Sequence, residues 1–248
     1  MAGLGQPAAD GPADRSRSDD RGVTLVDTAD NYGPAIAEEL VAEALHPYTE
    51  GLLIATKGGV VRTGDRAWHV DGRPERLRAM CEASLRRLRL DTIGLYQLHR
   101  LDPAVPMAEQ LGTLDELRAE GKIRHIGLDT VTAEQLEEAL ELTDIASVQN
   151  RFNLLDRDSQ PLLKLCEARG IAFLPWFPLG NGSLTADPEC ARIAAAHGAT
   201  PGQIALAWLL HRSPVLCPTP GTGSLAHLEE NLDASAVRLT AEDMAALG

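Results

Sequence analysis

Val23-Thr24-Leu25-Val26-Asp27, Leu52-Leu53-Ile54-Ala55-Thr56-Lys57 and Ile93-Gly94-Leu95-Tyr96-Gln97-Leu98-His99 are short apolar runs, and each closes on a polar residue. Runs of this length, rich in Val, Ile and Leu, read as strands. Helical spacing lies between them. Ala35–His46 puts Ile36, Leu40, Val41 and Leu45 on one face, and Pro74 opens a helix carrying Leu77, Met80, Cys81, Leu85 and Leu88. The stretch from Lys57 to Gly72 reads as a polar, glycine-containing loop. Further on come a helix over 107–120, a strand over 122–128 and a helix from Thr132, with Gln135 in capping-box spacing. A strand over 146–150, a helix over 158–169, a strand over 171–177 and a helix over 201–212 extend the series, followed by a last strand at 214–219 and terminal helices at 225–232 and 241–247. Regular strand–helix alternation implies parallel βαβ units. Seven or eight of them in 248 residues predict a single α/β domain folded as a (β/α)8 TIM barrel. No GxGxxG follows an early strand, so the open dinucleotide-binding sheet lacks its usual mark.

A (β/α)8 barrel carries its chemistry at the rim where strand C-termini meet. Asp27, Lys57 and His99 fall there, with Tyr32 just beyond the first run. Taken singly, Asp27 reads equally as a turn residue, Tyr32 as rim packing and His99 as a satisfied core histidine. Lys57 is harder to explain. Only three of the 23 basic residues are lysine (Lys57, Lys122, Lys164). A lysine closing an aliphatic strand is costly without a partner.

Composition narrows the function class. A net charge of −13 speaks against nucleic acid or an anionic membrane as partner. No apolar run approaches a membrane span, the first residues lack a signal-peptide pattern, and a cytoplasmic location is expected. The four cysteines form no CxxC pair and read as reduced thiols, and the seven histidines show no ligand spacing, so no metal site is expected.

The stretch Val26-Asp27-Thr28-Ala29-Asp30-Asn31-Tyr32-Gly33 resembles the signature strand and loop of the aldo-keto reductases. Ala55-Thr56-Lys57, Leu95-Tyr96-Gln97-Leu98-His99, Gly121-Lys122-Ile123-Arg124-His125-Ile126-Gly127, Ser147-Val148-Gln149-Asn150 and Pro178-Leu179-Gly180 follow in that family's order. Pro220-Gly221-Thr222 and His227-Leu228-Glu229-Glu230-Asn231 resemble its C-terminal cofactor segment. The likeness implies a barrel that reduces a small-molecule carbonyl (aldehyde, ketone or keto-sugar) with NADPH or NADH. It makes Tyr32 the general acid, Lys57 its tuner, Asp27 the group that orients Lys57, and His99 a second hydrogen-bond partner of the carbonyl oxygen. An ammonium beside a phenol lowers the phenol's pKa, and a buried carboxylate keeps the ammonium charged. The same likeness assigns cofactor contacts to Asp129, Thr130, Gln149, Trp176, Leu179, Gly221, Thr222, His227, Glu230 and Asn231. Trp176 reads equally as a core aromatic at a strand end.

Three departures from the family pattern stand out. Asp129-Thr130 replaces the usual Ser-Asn at the carboxamide, adding a negative charge beside the reactive ring. From Ser213 to Val237 there is no lysine or arginine to meet a 2′-phosphate, with only His227 at hand and Arg212 just outside. The segment before Gly22 is short and polar, so the first βα unit is expected to be truncated or irregular. A homo-oligomer is expected to cover that side of the barrel. Two other functions fit the same residues: a carbonyl-adjacent dehydration or epimerisation, supported by Asp129, and a nucleotide-holding regulatory subunit, supported by the shortened start.

Overall fold

The computed structural model describes residues 22–33, 35–63, 67–180 and 187–248. Its strands are β1 (Leu25–Asp27), β2 (Leu53–Gly58), β3 (Val60–Arg62), β4 (Trp68–Val70), β5 (Ile93–Leu98), β6 (Ile123–Asp129), β7 (Ser147–Arg151) and β8 (Ala172–Trp176). Six of them form one sheet in the order β1-β2-β5-β6-β7-β8, and every pairing in it is parallel. The intervening helices are α1 (Ile36–Leu45), α2 (Pro74–Leu88), α3 (Met107–Ala119), α4 (Ala133–Leu142) and α5 (Gln160–Arg169). After β8 come α6 (Pro188–His197), α7 (Pro201–Arg212), α8 (Leu225–Asp233) and α9 (Ala241–Leu247). A curled parallel sheet backed by helices is the (β/α)8 architecture expected from the alternation. The expected irregular first unit falls on residues 1–21, outside the described residues.

Three sequence expectations need correcting. The loop after Lys57 holds an antiparallel hairpin, with Val60 paired to Val70, Val61 to His69 and Arg62 to Trp68. The last strand at 214–219 is reduced to a parallel bridge between Phe173 and Leu216. Pro214, Pro218 and Pro220 explain this, since each lacks the N–H that a ladder requires. Helix α6 went unpredicted, although its signals are present: the Asp187 side chain caps the Cys190 N–H, Pro188 opens the first turn, and Gly198 closes the last at φ 60. The capping box of Thr132 and Gln135 does form, at the start of α4.

Between sheet and helices the core is aliphatic. Leu77, Cys81 and Leu88 of α2 meet Leu111, Leu114 and Leu117 of α3 and the strand residues Ile93, Ile123 and Ile126, all essentially inaccessible. Each such leucine contributes about 1.5–3 kcal/mol relative to exposure. One charge crosses this layer. Fully buried Glu38 of α1 accepts from Thr56 Oγ1 (2.6 Å) and from Arg87 Nε of α2 (2.6 Å), joining two helices to β2.

Inside the barrel, register sets the site. Lys57 pairs with Gln97, Gln97 with Gly127, and Gly127 with Ser147, so these side-chain positions share one level. A Cβ on Gly127 would lie 2.4 Å from Ser147 Oγ and 2.9 Å from Gln97 Cγ. Glycine there leaves Gln97 room to cross the barrel. Gly127→Ala should therefore cost about 1–3 kcal/mol through overpacking. Denaturant unfolding would check this, and an unchanged midpoint would mean that the interior yields freely.

Candidate active site

The strand ends bring the four rim residues together. Lys57, with no exposed surface, donates from Nζ to Asp27 Oδ2 (2.7 Å) and to the Thr28 carbonyl (2.9 Å). The same ammonium lies 5.2 Å from the centre of the Tyr32 ring. Tyr32 meets His99 edge-on, with centroids 6.1 Å apart. Tyr32 itself is 40% exposed, on the loop between β1 and α1. Buried lysine, buried histidine and accessible phenol thus converge at one mouth.

Electrostatics distinguish their roles. Burial pulls the Lys57 pKa down, but Asp27, Tyr32 and the Asp27 hydrogen bond together carry it above the ordinary lysine value. The group stays an ammonium. For Tyr32, loss of solvation raises the pKa, and Lys57 offsets only part of that rise. The lysine acts in the expected downward sense, yet the net shift is upward, so the phenol keeps its proton. His99 is driven down to about 3 by burial, then by Lys57 and Arg100, and is a neutral imidazole near neutral pH.

Asp27 has further partners that the sequence did not announce. Gln97 Nε2 donates to Oδ1 (3.0 Å) and Gln149 Nε2 to Oδ2 (3.1 Å). A glutamine midway along an apolar strand was the available signal for Gln97, because a buried amide needs partners. Arg100, also unannounced, changes the meaning of Asp129. Its Nη1 donates to Asp129 Oδ1 (2.5 Å), and Thr130 Oγ1 donates to the same oxygen (2.6 Å). The expected bare negative charge is therefore paired with a cation.

Several residues assigned to a cofactor remain available for one. The Oε1 of Gln149 and the Nε1 of Trp176 are buried without hydrogen-bond partners, an acceptor and a donor of the kind a nicotinamide carboxamide or ribose can use. Trp176 packs edge-on against Phe177, under the Arg151 guanidinium. Leu179 packs against the core, while Gly221, Thr222 and His227 are exposed. Nothing lies within 4 Å of a Cβ built on Gly221 or Gly223, so the loop ahead of α8 is open. Glu230 is tied back to α7 through Thr200 Oγ1 (2.5 Å), with Asn231 half-buried beside it. These residues suit a dinucleotide laid from β7 and β8 towards α8.

Beside His99 opens a cavity of about 470 Å³ lined by Val60, Trp68, His69, Val70, Arg100 and Leu101. The unpredicted hairpin supplies its outer wall. Among the described residues, no cluster of three His, Cys, Asp or Glu could hold a metal ion, and no helix is long and apolar enough to cross a membrane.

Comparison with known proteins gives the family and the fold. The sequence pattern of the Aldo/keto reductase family matches residues 17–248. An uncharacterised oxidoreductase of Schizosaccharomyces pombe is 47% identical over 227 residues, covering 91% of this chain and 74% of that protein. Pyridoxine 4-dehydrogenase of Escherichia coli is 38% identical over 232 residues, covering 91% and 81%. A thermostable aldo-keto reductase solved with the inhibitor epalrestat superposes with a TM-score of 0.84 at 33% identity, covering 94% of this chain and 84% of that one. An aldo-keto reductase of Klebsiella pneumoniae, solved with NADPH, gives 0.82 at 28% identity, covering 92% and 80%.

Proposed function

The chain belongs to the aldo/keto reductase family and is a nicotinamide-dependent oxidoreductase; on that premise we propose that it reduces the carbonyl of a small aldehyde, ketone or keto-sugar to an alcohol, with Tyr32 as general acid. The observation that carries the reading is the fully buried Lys57 ammonium held between the Asp27 carboxylate and the Tyr32 ring. When bound, the nicotinamide supplies hydride to the carbonyl carbon. Negative charge then grows on the carbonyl oxygen, and a positioned proton donor lowers the barrier. Tyr32 holds that proton, because its pKa lies above the ordinary value. Lys57 stabilises the phenolate left behind, and Asp27 keeps Lys57 charged. Neutral His99 adds a hydrogen bond to the same oxygen.

Gln149, Trp176, Leu179, Gly221, Thr222, His227, Glu230 and Asn231 would hold the cofactor. The orphaned Gln149 Oε1 supports the carboxamide end. Asp129 gives little support to a dehydration or epimerisation, since Arg100 and Thr130 already occupy its carboxylate. Trp68 and His69 on the cavity wall favour a flat ring, and the Escherichia coli relative is named for pyridoxine, so pyridoxal is the first substrate to try. Cofactor oxidation over a panel of carbonyls, pyridoxal included, tests the reading. Tight cofactor binding without turnover on any carbonyl would defeat it.

Cofactor choice has its own prediction. NADPH carries a 2′-phosphate that is normally gripped by a charge-assisted hydrogen bond. Ser213–Val237 contains no lysine or arginine, and Arg212 is engaged with Gln160 Oε1 (3.0 Å) and the Trp208 ring. Fluorescence titration should show neither NADPH nor NADH favoured by more than about a hundredfold. Gly223→Arg, placed in open space, should shift the preference towards NADPH. A strong native NADPH preference would show that a cation outside this segment binds the phosphate.

A further inference from the structure

Asn31 lies between the catalytic loop and the hairpin, and its amide makes two contacts there. Nδ2 is 3.3 Å from the Val60 carbonyl oxygen and 3.3 Å from His99 Nδ1. A carbonyl oxygen only accepts, so the Asn31 atom facing it is the nitrogen. In the reversed amide, two oxygens would oppose each other at the Val60 contact, whereas the orientation present leaves the Asn31 Oδ1 buried without a partner. The same nitrogen, which can only donate, lies within hydrogen-bonding distance of the imidazole Nδ1. A ring nitrogen that receives an N–H must offer its lone pair, and a neutral imidazole then carries its proton on the other nitrogen. That other nitrogen is Nε2. It lies 3.9 Å from Asp129 Oδ2, beyond hydrogen-bonding reach. His99 also lines the cavity of about 470 Å³.

We propose that Asn31 is a positioning residue that fixes His99 in the Nε2–H tautomer, so that the imidazole presents a donor rather than a lone pair to the cavity. The tautomer stands on the geometry alone; its value to catalysis rests on reading His99 as a partner of the carbonyl oxygen. The Val60 contact makes the arrangement depend on the hairpin. The strand that walls the cavity also anchors the amide that sets the histidine.

Nitrogen NMR of the histidine rings, assigned with a His99→Gln sample, reads the tautomer directly in the wild-type protein. A pyrrole-type Nε2 with a pyridine-type Nδ1 is expected, and a proton on Nδ1 would overturn the proposal whatever the activity. Asn31→Asp replaces the donor by an acceptor and should draw a proton to Nδ1. With the donor lost or misdirected, kcat/KM for carbonyl reduction should fall by about tenfold to a hundredfold at unchanged cofactor affinity. In the His99→Gln background, Asn31→Asp should bring no further loss. An equal loss there would show that Asn31 does not act through His99. If instead His99→Leu keeps wild-type turnover while the wild-type ring shows Nε2–H, the tautomer is upheld and the catalytic reading of His99 falls.

Discussion

Tyr32→Phe should lower carbonyl reduction by about a hundredfold to ten-thousandfold, the usual worth of a positioned acid–base group. The Kd of the nicotinamide cofactor should hardly move, because the lost hydroxyl acts on charge that exists only in the transition state. The pH dependence follows from the direction of the Tyr32 shift. Burial outweighs Lys57 and leaves the phenol above its ordinary pKa of 10.0. Reduction consumes the protonated phenol, so its rate should stay level through neutral pH and decline only in the alkaline range. Alcohol oxidation needs the phenolate as base and should rise over that same range. Neither limb should survive in Tyr32→Phe. His99 contributes no ionisation near neutrality, since its pKa is pushed down to about 3. Steady-state rates in both directions, followed against pH, would check this. Near wild-type turnover in Tyr32→Phe would show that another group delivers the proton.

Much of this arrangement was readable because strand ends are chemically conspicuous. Asp27, Lys57 and His99 each close an apolar run, and a parallel barrel carries every such end to one mouth. Lys57 stood out most, as the costliest of them to bury without a partner. The remainder depended on contacts between segments remote in sequence. Asn31 gains its meaning only from Val60 and His99, which lie 29 and 68 residues away. Arg100 altered Asp129 from a bare charge to half of an ion pair, and no spacing rule connects those positions. The hairpin went unseen because three-residue strands flanked by glycine and charge carry almost no periodic signal. The expected last strand at 214–219 failed for the opposite reason: its apolar run is plain, yet its prolines remove the hydrogen bonds that the pattern suggests.

Asp27→Asn should be the most damaging single change to stability, for a reason separate from turnover. It leaves the Lys57 ammonium, with no exposed surface, facing an amide and the Thr28 carbonyl. Breaking one partner of a buried ion pair costs about 3–5 kcal/mol. The wild-type Lys57 pKa is raised. Its stabilisation is therefore present in full below the unfolded value of about 10.4 and is lost as pH climbs through the folded value. Without Asp27, burial is left dominant and the folded pKa falls below the unfolded one. The sign then reverses: the variant is weakest at low and neutral pH and closes on wild type as pH rises and Lys57 deprotonates. Adding Lys57→Met removes the stranded charge. The introduced amide oxygen in that double variant still accepts from Gln97, while its NH2 faces the Gln149 amide, so part of the lost stability should return while reduction stays impaired. Denaturant unfolding of the single and double variants across pH separates the two effects. A single variant as stable as wild type at neutral pH would show that Lys57 reaches water without its carboxylate. The barrel interior would then be wetter than its packing implies.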